Sequence, residues 1–243
     1  MFKEVDNKKE KIDQKRPLPK YTAVSIRKHL LLTWTYNSNA IEGNTLTLLE
    51  TKVILEDGVA IGGKTLKEHF EVINHKEAIL YVEEIVKKNK NLSEWQIKSI
   101  HRLILKGIDD EYAGVYRKER VIISGAEHMP PEPIALSGEM ERLINWYSGE
   151  GQSLHPIERA ARLHTDFVKI HPFIDGNGRT ARLLLNLELM KAGYPLVIIR
   201  NEDRARYYSS LDKACTIGDY NEFILLVAES LNRSLDMYLD LID

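Results

Sequence analysis

Apolar positions along this chain recur mostly at helical spacing, and they lay out a succession of helices joined by short loops. Val24, Leu30, Leu31 and Trp34 predict a helix from Tyr21 to about Asn37. Leu48, Leu49 and Ile54 mark a short helix through about Glu56, capped by Thr45 or Thr47, before a loop carrying Gly58, Gly62 and Gly63. Between Thr65 and about Lys88 two stripes run together, one of Leu66, Phe70, Ile73 and Leu80, the other of Val72, Ile79, Val82 and Val86. That helix is predicted to be buried over much of its circumference, and its His69 and His75 read as structural. Ser93 with Gln96 reads as a capping box before the apolar face of Ile97, Ile100 and Ile104. Met140, Leu143 and Trp146 face a helix from Glu139 to about Ser148. Pro156 opens the next, whose face of Ile157, Ala160, Ala161, Phe167 and Val168 also takes His164, read as a core histidine. Residues 183–190 are apolar nearly all round, so the helix through them is predicted to be the buried centre, stopping at Gly193. Two further helices are predicted, from Glu202 to Ala214 and from Tyr220 to about Leu239.

The helical pattern fails in two places. Residues 1–18 are rich in Lys, Glu and Asp, which predicts a solvated, disordered arm preceding one domain at 19–243. Within 107–135, Val121-Ile122-Ile123, the turn residues Ser124-Gly125 and the prolines Pro130, Pro131 and Pro133 predict a small β-hairpin. The expected fold is therefore all-α, a helical bundle with one hairpin.

Composition narrows the function classes. The 243 residues are 43% hydrophobic and 29% charged, with a net charge of −2. Such a chain has no global basic field for nucleic acid or an anionic membrane. One cysteine, Cys215, excludes an intramolecular disulfide. No apolar run approaches the length needed to cross a bilayer, and the first residues lack the apolar centre of a signal peptide. A cytoplasmic location is expected.

The chemistry concentrates in His171-Pro172-Phe173-Ile174-Asp175-Gly176-Asn177-Gly178-Arg179-Thr180-Ala181-Arg182. Two glycines at the mouth of a helix let a ligand approach the main chain, and the helix directs free N–H groups and a positive dipole end at it. That combination suits an anion. Arg179 and Arg182, three apart, share a side of the first turn and can grip phosphate oxygens. Asp175 is a hard oxygen donor suited to Mg2+. Pro172 disfavours helical geometry at His171, so a base of near-neutral intrinsic pKa is presented at a helix end beside the anion turn.

This stretch resembles the signature of the Fic family, His-x-Phe-x-(Asp/Glu)-Gly-Asn-Gly-Arg-x-x-Arg, at every defined position. The resemblance implies a Fic fold built around the signature helix and transfer of AMP from ATP to a protein hydroxyl. It implies His171 as the base, Asp175 as the metal ligand, and Gly176, Asn177, Gly178, Arg179, Thr180 and Arg182 as nucleotide contacts. Upstream, Ser38-Asn39-Ala40-Ile41-Glu42-Gly43 is similar to the inhibitory pattern (Ser/Thr)-x-x-x-Glu-(Gly/Asn), which implies Ser38 and Glu42 as inhibitory residues and a pair between Glu42 and Arg182. Gly114-Val115-Tyr116-Arg117 and the hairpin after it look like the family's flap, with Ile122, Ile123, Ser124 and Gly125 positioning a target segment by strand pairing. Tyr208 corresponds to a tyrosine of the adenosine pocket, and Thr216 falls where some members carry an Asn. Alternatives remain open: hydrolytic removal of AMP using Glu42, transfer of another phosphate-linked group, or nucleotide-gated binding without turnover. The resemblance also allows auto-modification and a homodimer.

Overall fold

The structure, a computed structural model, describes residues 2–242. Its helices are α1 (Lys3–Gln14), α2 (Lys20–Ile41), α3 (Leu48–Asp57), α4 (Leu66–Lys87), α5 (Glu94–Leu105), α6 (Leu136–Ser148), α7 (Pro156–Ile170), α8 (Asn177–Lys191), α9 (Arg204–Ile217) and α10 (Asn221–Ile242). The uniformly apolar helix of the sequence is α8. Leu183, Leu184, Leu185, Leu187 and Leu189 are fully buried in it. It packs along α7, with α4, α5 and α2 covering its other sides. One apolar cluster joins α8 to α2, α4, α5, α6 and α7, and a second joins it to α1, α7, α9 and α10.

Local chemistry sets several boundaries. Thr47 caps α3 and Thr65 caps α4, each in a reciprocal capping box with Glu50 and Glu68. Thr45 is not a cap; its hydroxyl donates to Glu68 Oε1 at 2.6 Å. Ser93 makes no cap hydrogen bond, so the box expected there is absent. His69, His75 and His164 are buried within the bundle, as read from the sequence.

Three further expectations need correction. Residues 3–14 are not a disordered arm but a helix packed on α10. Val5 and Ile12, two turns apart, supply its buried stripe, and Asp6 accepts from the Tyr194 hydroxyl at 2.5 Å. No strand forms among the described residues, so the β-hairpin at 121–131 is absent. Pro130, Pro131 and Pro133 withdraw donors from any returning strand, and an isolated two-stranded ribbon has little stability of its own. The first stripe of α4 is also less covered than expected, with Leu66, Ile73 and Leu80 exposed.

Candidate active site

The loop between α7 and α8 is shaped by its own residues. α7 ends at His171, which takes a left-handed backbone (φ 50°, ψ 58°) while its N–H donates to Phe167 O at 3.0 Å. Gly176, also left-handed at φ 77°, turns the chain into α8. Asn177 closes the loop from inside. Its Oδ1 accepts from Phe173 N at 3.0 Å and its Nδ2 donates to Phe173 O at 2.8 Å. The Asn177 side chain is thus engaged by the loop itself. Thr180 is fully buried, and its N–H donates to Gly176 O at 3.0 Å. It faces the bundle from the inward side of the first turn.

Two residues brace the loop that the sequence pattern did not single out. His101 of α5 stacks flat against Phe173, ring centroids 3.6 Å apart. Its Nδ1 accepts from Gly114 N at 2.9 Å, which leaves Nε2 to donate to Asp175 O at 2.8 Å. Burial pushes this imidazole down to about 4, so it is neutral near pH 7. From the other side, the Arg117 guanidinium donates to His171 O at 2.9 Å.

The two signature arginines are both buried but differently engaged. Arg179 reaches both oxygens of Asp175 at 3.3 Å and pairs with Glu71 of α4 at 3.2 Å. Arg182 donates to Ser38 Oγ at 3.0 Å, Ser38 O at 2.7 Å, Tyr207 Oη at 3.1 Å and Glu42 Oε1 at 2.7 Å. The Tyr207 hydroxyl lies 3.1 Å from His164 Nε2, so this core histidine stands behind the Arg182 site. Glu42 is the last turn of α2, ahead of Gly43 at φ 97°. The sequence match thus brings Ser38, Glu42 and Arg182 into contact across 140 residues and more. Gly178 adjoins this carboxylate so closely that a Cβ there would fall onto Glu42 Oε1.

Glu42, His171, Gly178 and Tyr208 line one cavity of about 790 Å³, together with Ile123, Ser124 and Gly125. Ile122 points away and is 77% exposed. Tyr208 donates to Ile41 O at 3.2 Å. Thr216 donates to Asp212 O at 2.7 Å outside the lining, while its neighbour Cys215 lies in it, the thiol pushed by burial up to about 12. Asp212 Oδ1 accepts from Glu127 N at 2.9 Å and His128 N at 3.2 Å, fastening the segment 123–128 to α9. Burial, aided by the Arg117 charge, lowers His171 to about 4. Burial acts to raise Asp175, but the Arg179 charge and the Gly176 N–H hold its carboxyl below the ordinary range. Among the described residues no group of three His, Cys, Asp or Glu side chains could hold a metal by itself. No helix there is long and apolar enough to cross a membrane.

Comparisons with known proteins show what the chain is similar to. The profile of the Fic/DOC family matches residues 91–189. The protein adenylyltransferase Fic of Nematostella vectensis is 43% identical over 241 residues, covering 95% of this chain and 55% of the relative. Its namesake in Drosophila willistoni is 41% identical over 205 residues, covering 84% of this chain and 41% of the relative. The chain therefore spans about half the length of the curated relatives it matches. Among solved structures, Fic-1 (residues 134–508) from C. elegans superposes with a TM-score of 0.90 at 33% identity, over 98% of this chain and 71% of that one. A Fic domain containing signaling protein from Bacteroides thetaiotaomicron gives a TM-score of 0.89 at 30% identity, over 99% and 97% of the two chains.

Proposed function

The chain belongs to the Fic/DOC family, and on that premise we propose that it is a protein adenylyltransferase held in check by Glu42. The observation that carries the reading is the contact of Arg182 with Glu42 in the cavity that His171 also lines. A carboxylate there occupies the guanidinium edge that a terminal phosphate of ATP would take. Withdrawing it frees a buried, permanently charged arginine beside the mouth of α8.

The residues then divide the work. The first N–H groups of α8, at Asn177 and Gly178, receive phosphate oxygens along the helix dipole. Arg182 holds the γ-phosphate, and Arg179 holds the turn through Asp175 and Glu71. Tyr208 walls the nucleoside end. Asp175 fits Mg2+ as one hard, ionised, half-exposed oxygen donor sharing the ion with phosphate oxygens. When bound, that ion neutralises charge on the α- and β-phosphates. His171 Nε2 or Nδ1 takes the proton of a target Ser, Thr or Tyr hydroxyl as its oxygen bonds to the α-phosphorus. The bond from that phosphorus to the α,β-bridging oxygen breaks and pyrophosphate leaves. Burial and the Arg117 charge keep His171 unprotonated, and a negative nucleotide would raise its pKa toward the working pH. The segment 121–128 forms the outer wall and is the docking edge for the target chain, by main-chain pairing along Ile122–Gly125.

Intact-mass measurement of the Glu42→Gly protein with Mg2+ and ATP tests this. The expected result is a rise in added AMP over the unsubstituted chain and its loss on adding His171→Ala. Equal labelling with and without His171 would sink the reading. Because Glu42 lines the cavity with His171, it could also orient a water that releases AMP from a modified target. Loss of such release in the Glu42 variant separates that second reading from the first.

A further inference from the structure

Arg117 is 2% exposed and, among the described residues, forms no ion pair. Its partners are backbone carbonyls from three separate segments. Nε donates to His171 O at 2.9 Å, Nη1 to Glu119 O at 2.8 Å and Nη2 to Pro131 O at 2.6 Å. Its own N–H donates to Pro172 O at 2.9 Å. Only the Glu132 charge acts on the guanidinium, and from beyond contact distance; a cation buried without a contact ion pair is costly unless its hydrogen bonds are complete and its position is needed. The fork geometry of a guanidinium explains the choice: no other side chain reaches three carbonyls at fixed angles.

What it joins gives the position its meaning. His171 is one of only two non-glycine residues with positive φ among those described, and its carbonyl is one of the three. Left-handed backbone is unfavourable for a residue with a Cβ and persists where surrounding bonds over-determine it. Glu119 and Pro131 stand on the outgoing and returning arms of the wall segment, which has no strand ladder to hold them together.

We propose that Arg117 is a positioning residue that fixes the left-handed backbone of His171 and ties it to both arms of the segment 118–131, so that imidazole aim and docking wall are set together. The proposal rests on the transferase reading for His171 as the base. A target segment that straightens or shifts the wall acts on the base through this side chain, beside the contact of His128 Nε2 with Lys169 O at 2.8 Å.

The test uses the whole chain, with His171 followed by NMR titration of the imidazole and the wall by amide hydrogen exchange. In Arg117→Gln the His171 midpoint is expected to rise by about one pH unit as a neighbouring cation is removed, with His101 unmoved. Exchange across 118–131 is expected to accelerate at least tenfold. Arg117→Lys keeps the charge and loses the fork. Its His171 midpoint stays low, exchange still accelerates, and in the Glu42→Gly background kcat for AMP transfer falls tenfold or more with KM for ATP unchanged. Should Arg117→Gln fail to fold, the lysine variant decides by the same readouts. A folded variant with wild-type exchange at 118–131 and an unmoved His171 in Arg117→Gln would overturn the proposal. Absence of any transfer in every variant, with the titration and exchange behaving as expected, would instead overturn the transferase reading and leave the positioning role standing.

Discussion

Near its N-terminal end α8 presents Arg182 to Glu42, and toward its C-terminal end it presents Glu188 to Arg159. Besides the Arg179–Glu71 pair, the helix thus carries two ion pairs whose surroundings differ. Glu188 is 2% exposed in its side chain, takes Arg159 Nε at 2.7 Å on one oxygen and the Tyr147 hydroxyl at 2.6 Å on the other. Without it, Arg159 keeps only Gln152 O at 3.4 Å. Glu42 is 30% exposed, and without it Arg182 still has Ser38 Oγ, Ser38 O and Tyr207 Oη. Redundant partners on the cation make the carboxylate at the signature end replaceable. At the far end each member depends on the other.

This difference can be broken by experiment. The largest effect is expected from Glu188→Ala, which strands a nearly buried guanidinium and should lower unfolding free energy by about 3–5 kcal/mol in urea titrations. A loss under about 1 kcal/mol would erase the distinction. Acid should act next, and at the signature end, where burial depresses His75, His101 and His164 around Arg182 and the loop. For these groups the unfolded chain binds protons first, near 6.5. Their contribution is complete above that pH and is lost as pH falls toward the folded value, about 4 for His101. His101 alone should remove on the order of 2 kcal/mol between pH 7 and pH 5. A urea midpoint flat over that range would contradict the burial of these rings. Tyr147→Phe removes one hydrogen bond to Glu188 while the ion pair remains, and about 1–2 kcal/mol should be lost in the same assay. Glu42→Gln should cost least, below about 1 kcal/mol, because the pair is partly solvated and Arg182 stays satisfied. A cost matching Glu188→Ala would make Glu42 a structural residue.

The helices were legible wherever burial follows period. Leu183 to Leu189 announced the central helix, and Pro156 and Gly193 marked boundaries. The contact of Glu42 with Arg182 was readable only because short motifs at two distant places both matched a known pattern. α1 was hidden because two apolar residues, Val5 and Ile12, among so many charges look solvated until α10 covers them. The wall segment misled for the opposite reason: β-branched residues at 121–123 suggest a strand, but the prolines and the Arg117 clamp decide its course. Arg117 lies outside any periodic stretch, and His101, on the buried face of α5, looks in the sequence like any core histidine. Each acts through carbonyl oxygens, which every residue has, and such partners leave no trace in side-chain identity.

Gly178 places the mouth of α8 and the Glu42 carboxylate in the same few cubic ångströms. The side chain missing there is the one whose addition would collide with Glu42. On the reading proposed above, a larger residue at 178 would crowd the nucleotide and the blocking carboxylate alike, so the block is relieved at Glu42 and not at the turn.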